Sequence, residues 1–308
     1  MYQQLIPLLL IMALGVFWRQ VQPANLPPVQ VRSVLGVLII NFVAPALIME
    51  VLLTSTLKEE LYQVPLTGNV TIVVVLGCGL LLYTLLLRMK SVTRAQVGAL
   101  ILASAFGNGM GVGLPTVAAL VGTAQRDIPV IYDLLAAVPF VWIVGVMLSA
   151  HFGTRVAGGR LGRELLLLPP FWAMALALIL RFTGVPIPDQ IMKTLHLLGA
   201  AAVPLLLLMV GMTLRMSRKM RWGLLLPVVG LKLFLSAALA LTVGHWIGLS
   251  GPVLIATLLT SAAPPVAVGV ALCDRFKLDT ELFGTAMTAT TLIYILLAPM
   301  LVRLIVSA

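Results

Sequence analysis

Residues 100–122, LILASAFGNGMGVGLPTVAALVG, are apolar enough to cross a bilayer, yet Asn108, Gly109, Gly111, Gly113 and Pro115 crowd their centre. Glycine weakens a helix interior and proline removes an N–H donor, so an unbroken helix is not expected at that depth. Unwound backbone is tolerated within a membrane only where it is buried in protein or lines a cavity. A second apolar run, residues 254–273, carries Pro264 and Pro265 at its midpoint. Pro265 lacks a donor, and its ring pushes Pro264 out of the α region. Two interruptions at corresponding places predict a substrate site at mid-membrane, the arrangement by which many secondary transporters bind their cargo.

Composition fixes the class. Of 308 residues 61% are hydrophobic and 10% charged, and mean hydropathy is +1.12. Soluble domains hold about a quarter charged residues, so the chain reads as an all-α membrane protein. The net charge of +10 lies in short joints between apolar runs, without the interleaved aromatics of a nucleic-acid footprint, which excludes that partner. Cys78 and Cys273 each fall in an apolar run and read as small buried hydrophobes. The first run has Gln3 and Gln4 before it and no basic residue, so it is expected to stay as a span.

Ten spans are expected, near residues 4–21, 31–54, 65–87, 95–122, 128–150, 164–183, 190–214, 222–248, 251–274 and 280–305. Fourteen of the twenty Lys and Arg fall on one set of joints, five on the other, and Lys232 lies within a span. That bias places both termini outside and the 151–163 joint in the cytoplasm. The basic joint divides residues 1–150 from 164–308, five spans each. Five is odd, so the second set enters inverted, which predicts a 5+5 inverted-topology repeat. FVAPALIMEVLLT (42–54) and AAVPLLLLMVGMT (201–213) echo each other through Pro45 and Pro204.

A helix restarting after an interruption presents free N–H groups and the positive end of its dipole. Pro115 and Pro265 suit the first position of such helices, and two facing starts suit a carboxylate. Asn108 either donates to that anion or satisfies the freed backbone. Lys232 either faces the site as a counter-charge or snorkels to the cytoplasm. Ser104, Thr260 and Ser261 offer oxygens near the breaks. Glu50 and Asp133 are placed within a turn or two of the outer surface, with no carboxylate beside either break, and His196 stands alone; these three are the candidate titrating groups. No metal cluster, nucleophile with a base, or cofactor motif is present, which argues against an enzyme.

Several residues resemble the auxin efflux carrier family. NGMGVGLP (108–115) is similar to its fourth-span N-x-G-x-x-G-x-P run, with Met110 standing at the middle glycine, and Ala263-Pro264-Pro265 resembles its ninth-span proline site. Val266, Ala267 and Val268 carry no polar side chain after it. VAPALI (43–48), PLLLLMVGMTL (204–214), PVVGLKL (227–233), Asp279, Thr290 and Thr291 extend the likeness. The resemblance implies ten helices in an inverted repeat whose fourth and ninth, both broken, cross at the substrate site, with Asn108, Gly109, Gly111, Gly113, Pro115, Pro264, Pro265, Val266, Lys232, Ser104 and Ser261 around it. It further implies transport of small organic anions, such as malate, malonate or auxin-like acids, by elevator-type alternating access. Spans 1, 2, 6 and 7 would be the scaffold, spans 3–5 and 8–10 the moving part, and the joints after the second and seventh spans the hinges. A homodimer held through the second and seventh spans in a bacterial cytoplasmic membrane completes the expectation. A sodium-coupled symporter of the bile-acid type, and a passive channel or receptor for the same anion, are the alternatives.

The loop bias generates a first prediction. A cysteine placed at Gly158 should react with an impermeant maleimide only after cells are opened; labelling of intact cells would reverse the orientation.

Overall fold

The computed structural model describes residues 2–55, 59–154, 168–214 and 221–306. Among them seven helices are long and apolar enough to cross a membrane: α1 (Tyr2–Val21), α2 (Pro28–Thr54), α3 (Glu60–Arg88), α6 (Thr123–Phe152), α8 (Asp189–Thr213), α9 (Trp222–Ile247) and α12 (Thr280–Ile305). Between them lie shorter helices: α4 (Arg94–Ala105), α5 (Gly109–Leu120), α7 (Pro169–Thr183), α10 (Gly251–Ser261) and α11 (Val268–Phe276). Residues 155–167 and 215–220, on which most of the expected cytoplasmic linker and one expected hinge fall, lie outside the described residues, as do residues 56–58 of the other hinge.

The outer surface is apolar. Trp246 is 87% exposed, and Phe182, Leu197 and Leu81 are each three-quarters exposed. Soluble proteins do not leave such residues in contiguous patches; a bilayer accepts them. Cys78 is among the exposed residues, facing outward from α3, whereas Cys273 is buried as expected.

Proline shapes several of these helices. A proline within a helix clashes with the carbonyl four residues earlier. The turn before Pro45, Pro115 and Pro139 is widened to a π turn in each case. Ala44 N–H donates to Ile39 O, Leu114 N–H to Gly109 O, and Val138 N–H to Asp133 O, each reaching back five residues instead of four. The wide turn makes room for the ring and lets the helix continue.

The chain packs as two compact units. Residues 6–58 and 162–213 form one. Here α1 and α8 pack backbone to backbone: a Cβ on Gly211 would strike Met12 O, and one on Gly15 would strike Leu208 O. Without a hydrophobic force between helices in lipid, such close approach through small residues supplies the attraction. Arg181 Nη1 donates to Leu52 O at 3.0 Å, tying α7 to α2.

The other unit holds residues 1–5, 59–161 and 214–308. Tyr83 Oη and Ser104 Oγ share a hydrogen bond of 3.0 Å between α3 and α4, and Tyr294 Oη donates to Leu259 O at 2.9 Å between α12 and α10. Gly98 of α4 lies against Leu278 and Phe152. Several buried threonines bond within their own helices, Thr260 to Ala256 O, Thr290 to Ala286 O and Thr291 to Met287 O, which meets their donors in the core; Thr71 Oγ1 of α3 has no partner among the described residues.

The α1–α8 contact yields a second prediction. Gly211→Val should cost roughly 1–3 kcal/mol through overpacking, read as a lower unfolding temperature in detergent, while Gly77→Val, with open space around it, should leave stability nearly unchanged.

Candidate functional site

Helix α4 opens on a capping box: Thr93 Oγ1 accepts from Gln96 N–H, and Gln96 Oε1 accepts from Thr93 N–H. It closes at Phe106, whose backbone is extended. Residues 106–108 then run antiparallel to residues 264–266. Asn108 N–H donates to Pro264 O at 2.8 Å, Val266 N–H donates to Phe106 O at 3.0 Å, and Gly107 faces Pro265 in an isolated bridge. Gly107 and Pro265 are the pair in this bridge that exchanges no hydrogen bond, so the donor missing from Pro265 costs nothing there. Each interruption satisfies the backbone of the other.

Helix α5 restarts at Asn108. Its Oδ1 accepts from Gly111 N–H at 2.9 Å, the ordinary work of an N-cap. Asn108 is 7% exposed, and its Nδ2 has no acceptor among the described residues. Asp133, on α6, fills the rest of this helix start. Oδ1 accepts from Gly109 N–H at 3.2 Å and Oδ2 from Met110 N–H at 2.7 Å. A Cβ on Gly109 would collide with that carboxylate, so glycine is required for the approach.

Lys232 approaches the second interruption from α9. It is 2% exposed, and its Nζ donates to Ser261 O, at the closing turn of α10, at 2.8 Å. The ammonium also lies against Gly107, 2.7 Å from where a Cβ would stand. A carboxylate thus meets the positive start of one helix and an ammonium the negative end of another, each the favourable sign. Ser261 Oγ accepts from Tyr132 Oη and donates to Ser236 O, both at 3.3 Å. Asp133 and Lys232 both sit in π turns, residues 133–137 and 230–235, and the two charges attract through space.

The start of α11 differs. No side chain caps it, and the N–H groups of Ala267 and Val268 have no acceptor among the described residues. Val266, Ala267 and Val268 are half-buried, whereas residues 261–265 are fully buried. One helix start is filled from within, and the other is open.

A family model described as membrane transport protein matches residues 1–302. The chain belongs to this family, the auxin efflux carriers. Among its relatives is an uncharacterized transporter of Methanothermobacter thermautotrophicus, 26% identical over 277 residues, covering 87% of each chain. A second, from Methanocaldococcus jannaschii, is 26% identical over 232 residues, covering 71% of this chain and 73% of the relative. The carrier is an integral membrane protein and a transporter.

Several expectations need correction in this carrier. Asp133 does not lie at the interface but beside the first interruption, because Gly109 precedes the reversal at Gly122 by about as many residues as Asp133 follows it. An antiparallel helix pair therefore brings them level. Lys232 does not snorkel: its ammonium is held inside by Ser261 O. Pro115 is six residues into α5 rather than at its start, since Asn108 caps the helix earlier. Pro265 precedes α11 by three residues and belongs to the bridge. Ser104 is engaged with Tyr83. His196 is not alone, for its Nδ1 lies 2.8 Å from Glu50 Oε1, with Glu50 buried on α2. Gly113 packs on Thr260 and Ala263. Among the described residues no cluster of three His, Cys, Asp or Glu forms a metal site.

A third prediction follows from the buried charges. Lys232→Met leaves Asp133 without its counter-charge and should cost about 3–5 kcal/mol. Adding Asp133→Asn should recover much of the loss in a double-mutant cycle followed by thermal unfolding; strictly additive losses would show the two residues to be uncoupled.

Proposed function

We propose that this carrier is a secondary active transporter of small organic anions. Its ten spans form a 5+5 inverted repeat, and α4–α5 and α10–α11 are the broken fourth and ninth spans, crossing at the substrate site. The observation that carries the reading is the open start of α11. The unbonded, half-buried N–H groups of Ala267 and Val268 form the positive end of a helix beside the paired interruptions, and they suit a carboxylate. Two further features support it. Asn108 Nδ2 donates to no acceptor among the described residues, and Lys232 places the one buried ammonium of the described residues next to Gly107 of the bridge. The apolar side chains of Val266 and Val268 suit the hydrocarbon part of such an acid.

Movement of residues 59–161 and 214–308 as one body, with residues 6–58 and 162–213 as the fixed scaffold, gives elevator-type access. A homodimer through α2 and α8, both termini outside, and a cytoplasmic membrane complete the proposal.

Thermal shift against mono- and dicarboxylates is the direct test. A bound acid at a hundred times its Kd should add about 2.7 kcal/mol of stability, and the same acid should accumulate in proteoliposomes against its gradient. Accumulation only with inward sodium would instead favour the sodium-symport class, and equilibration without accumulation a channel. Asn108→Ala removes a donor worth about 1.5–3 kcal/mol to a charged partner, so affinity should fall roughly tenfold to more than a hundredfold. Unchanged affinity in a folded Asn108→Ala protein would restrict Asn108 to capping Gly111.

A further inference from the structure

We propose that Asp133 is the proton site that couples transport, so that each substrate acid bound through a carboxylate at the interruptions brings one proton into the protein. The inference rests on the anion reading above. Two charges occupy this part of the interior, the Asp133 carboxylate at Gly109 and Met110 and the Lys232 ammonium at Ser261, and they balance.

No other charge stands close. The helices packed on residues 127–137 of α6, the stretch that holds Asp133, are α3, α5 and α10. Neither α5 nor α10 carries a titratable side chain. On α3, Glu60 and Arg88 are at the helix ends, Tyr62 and Cys78 are exposed, and Tyr83 is bonded to Ser104. On its own helix Tyr132 is bonded to Ser261, Arg126 and Asp127 lie in the first turns, and His151 in the last. On α9 the remaining titratable group is His245, exposed in the final turn.

An anion arriving at Ala267 and Val268 therefore makes two carboxylates share one ammonium. The net charge of minus one is costly at membrane depth, and two carboxylates on one site do not both stay ionised. A proton on Asp133 restores balance. The reaction is protein (Asp133 carboxylate, Lys232 ammonium) plus substrate carboxylate plus a proton from water, giving the complex with Asp133 neutral and Lys232 still charged. The neutral acid keeps an oxygen for one of its two N–H partners, while the start of α5 retains the Asn108 cap.

Calorimetry on the intact protein in detergent tests this, with malonate, malate and indole-3-acetate as probes. It is run in two buffers of different ionisation heat at about pH 7.5, well above the range in which carboxylic acids titrate in water. Wild type should take up one proton per bound acid, and apparent affinity should fall about tenfold for each unit rise in pH. Asp133→Asn should bind without proton uptake and with a flat pH profile. Wild-type binding without uptake, or equal uptake by Asp133→Asn, overturns the proton site while leaving the anion reading intact. Failure of all three acids to bind overturns both. Should Asp133→Asn not fold, infrared difference spectra of wild type with carboxyl-labelled aspartate decide: the acid should raise an isotope-shifted band of a protonated carboxyl, and its absence overturns the proposal.

Discussion

Backbone that leaves the helix inside a membrane has no water to bond to, and the fold around residues 106–108 and 264–266 answers that constraint. Two hydrogen bonds, Asn108 N–H to Pro264 O and Val266 N–H to Phe106 O, meet the needs of both interruptions at once. Either segment alone would leave donors and acceptors unmet in a low-dielectric interior, at a cost of roughly 1–3 kcal/mol for each group. Glycine and proline suit this place because Gly107 and Pro265 fall on the pair that exchanges no hydrogen bond. The sequence features that read as helix breakers are thus the requirements of a very short antiparallel contact.

The charges follow from the same geometry. Ending α10 leaves carbonyls free, and Lys232 takes Ser261 O; restarting α5 leaves N–H groups free, and Asp133 takes two. Both side chains lie in widened turns, which turn a helical residue away from the position an ordinary α turn would give it. At Asp133 the widening serves Pro139 as well, so one local adjustment accommodates a ring and places a carboxylate. The start of α11 has no such partner. That asymmetry between two helix starts of similar design is the chemical content of the site.

Much of this was legible in the chain. Hydropathy gave the class, and Asn108, Gly109 and the Pro264–Pro265 pair located both interruptions. What the sequence concealed was depth. Counting residues from the nearest loop put Asp133 at the surface, because the count ignored that α5 is a short helix whose start lies beside Asp133. Measured from Gly122 in both directions, Gly109 and Asp133 come level, and that signal was present. Lys232 was ambiguous for a different reason, since a long side chain can satisfy its charge at either end of its reach and only Ser261 O settles which. The pairing of Glu50 with His196 lay beyond reach, since it joins residues far apart in the chain that no local pattern relates.

The mutual bonding of the two interruptions also limits how they can move. Four short helices, α4, α5, α10 and α11, meet at one contact two hydrogen bonds wide. If one of them swung aside like a door, it would strip partners from its own backbone and from its neighbour's, with no solvent to replace them. The contact behaves as a rivet rather than a hinge, and displacements that keep it whole, carrying all four helices in register, are the inexpensive ones.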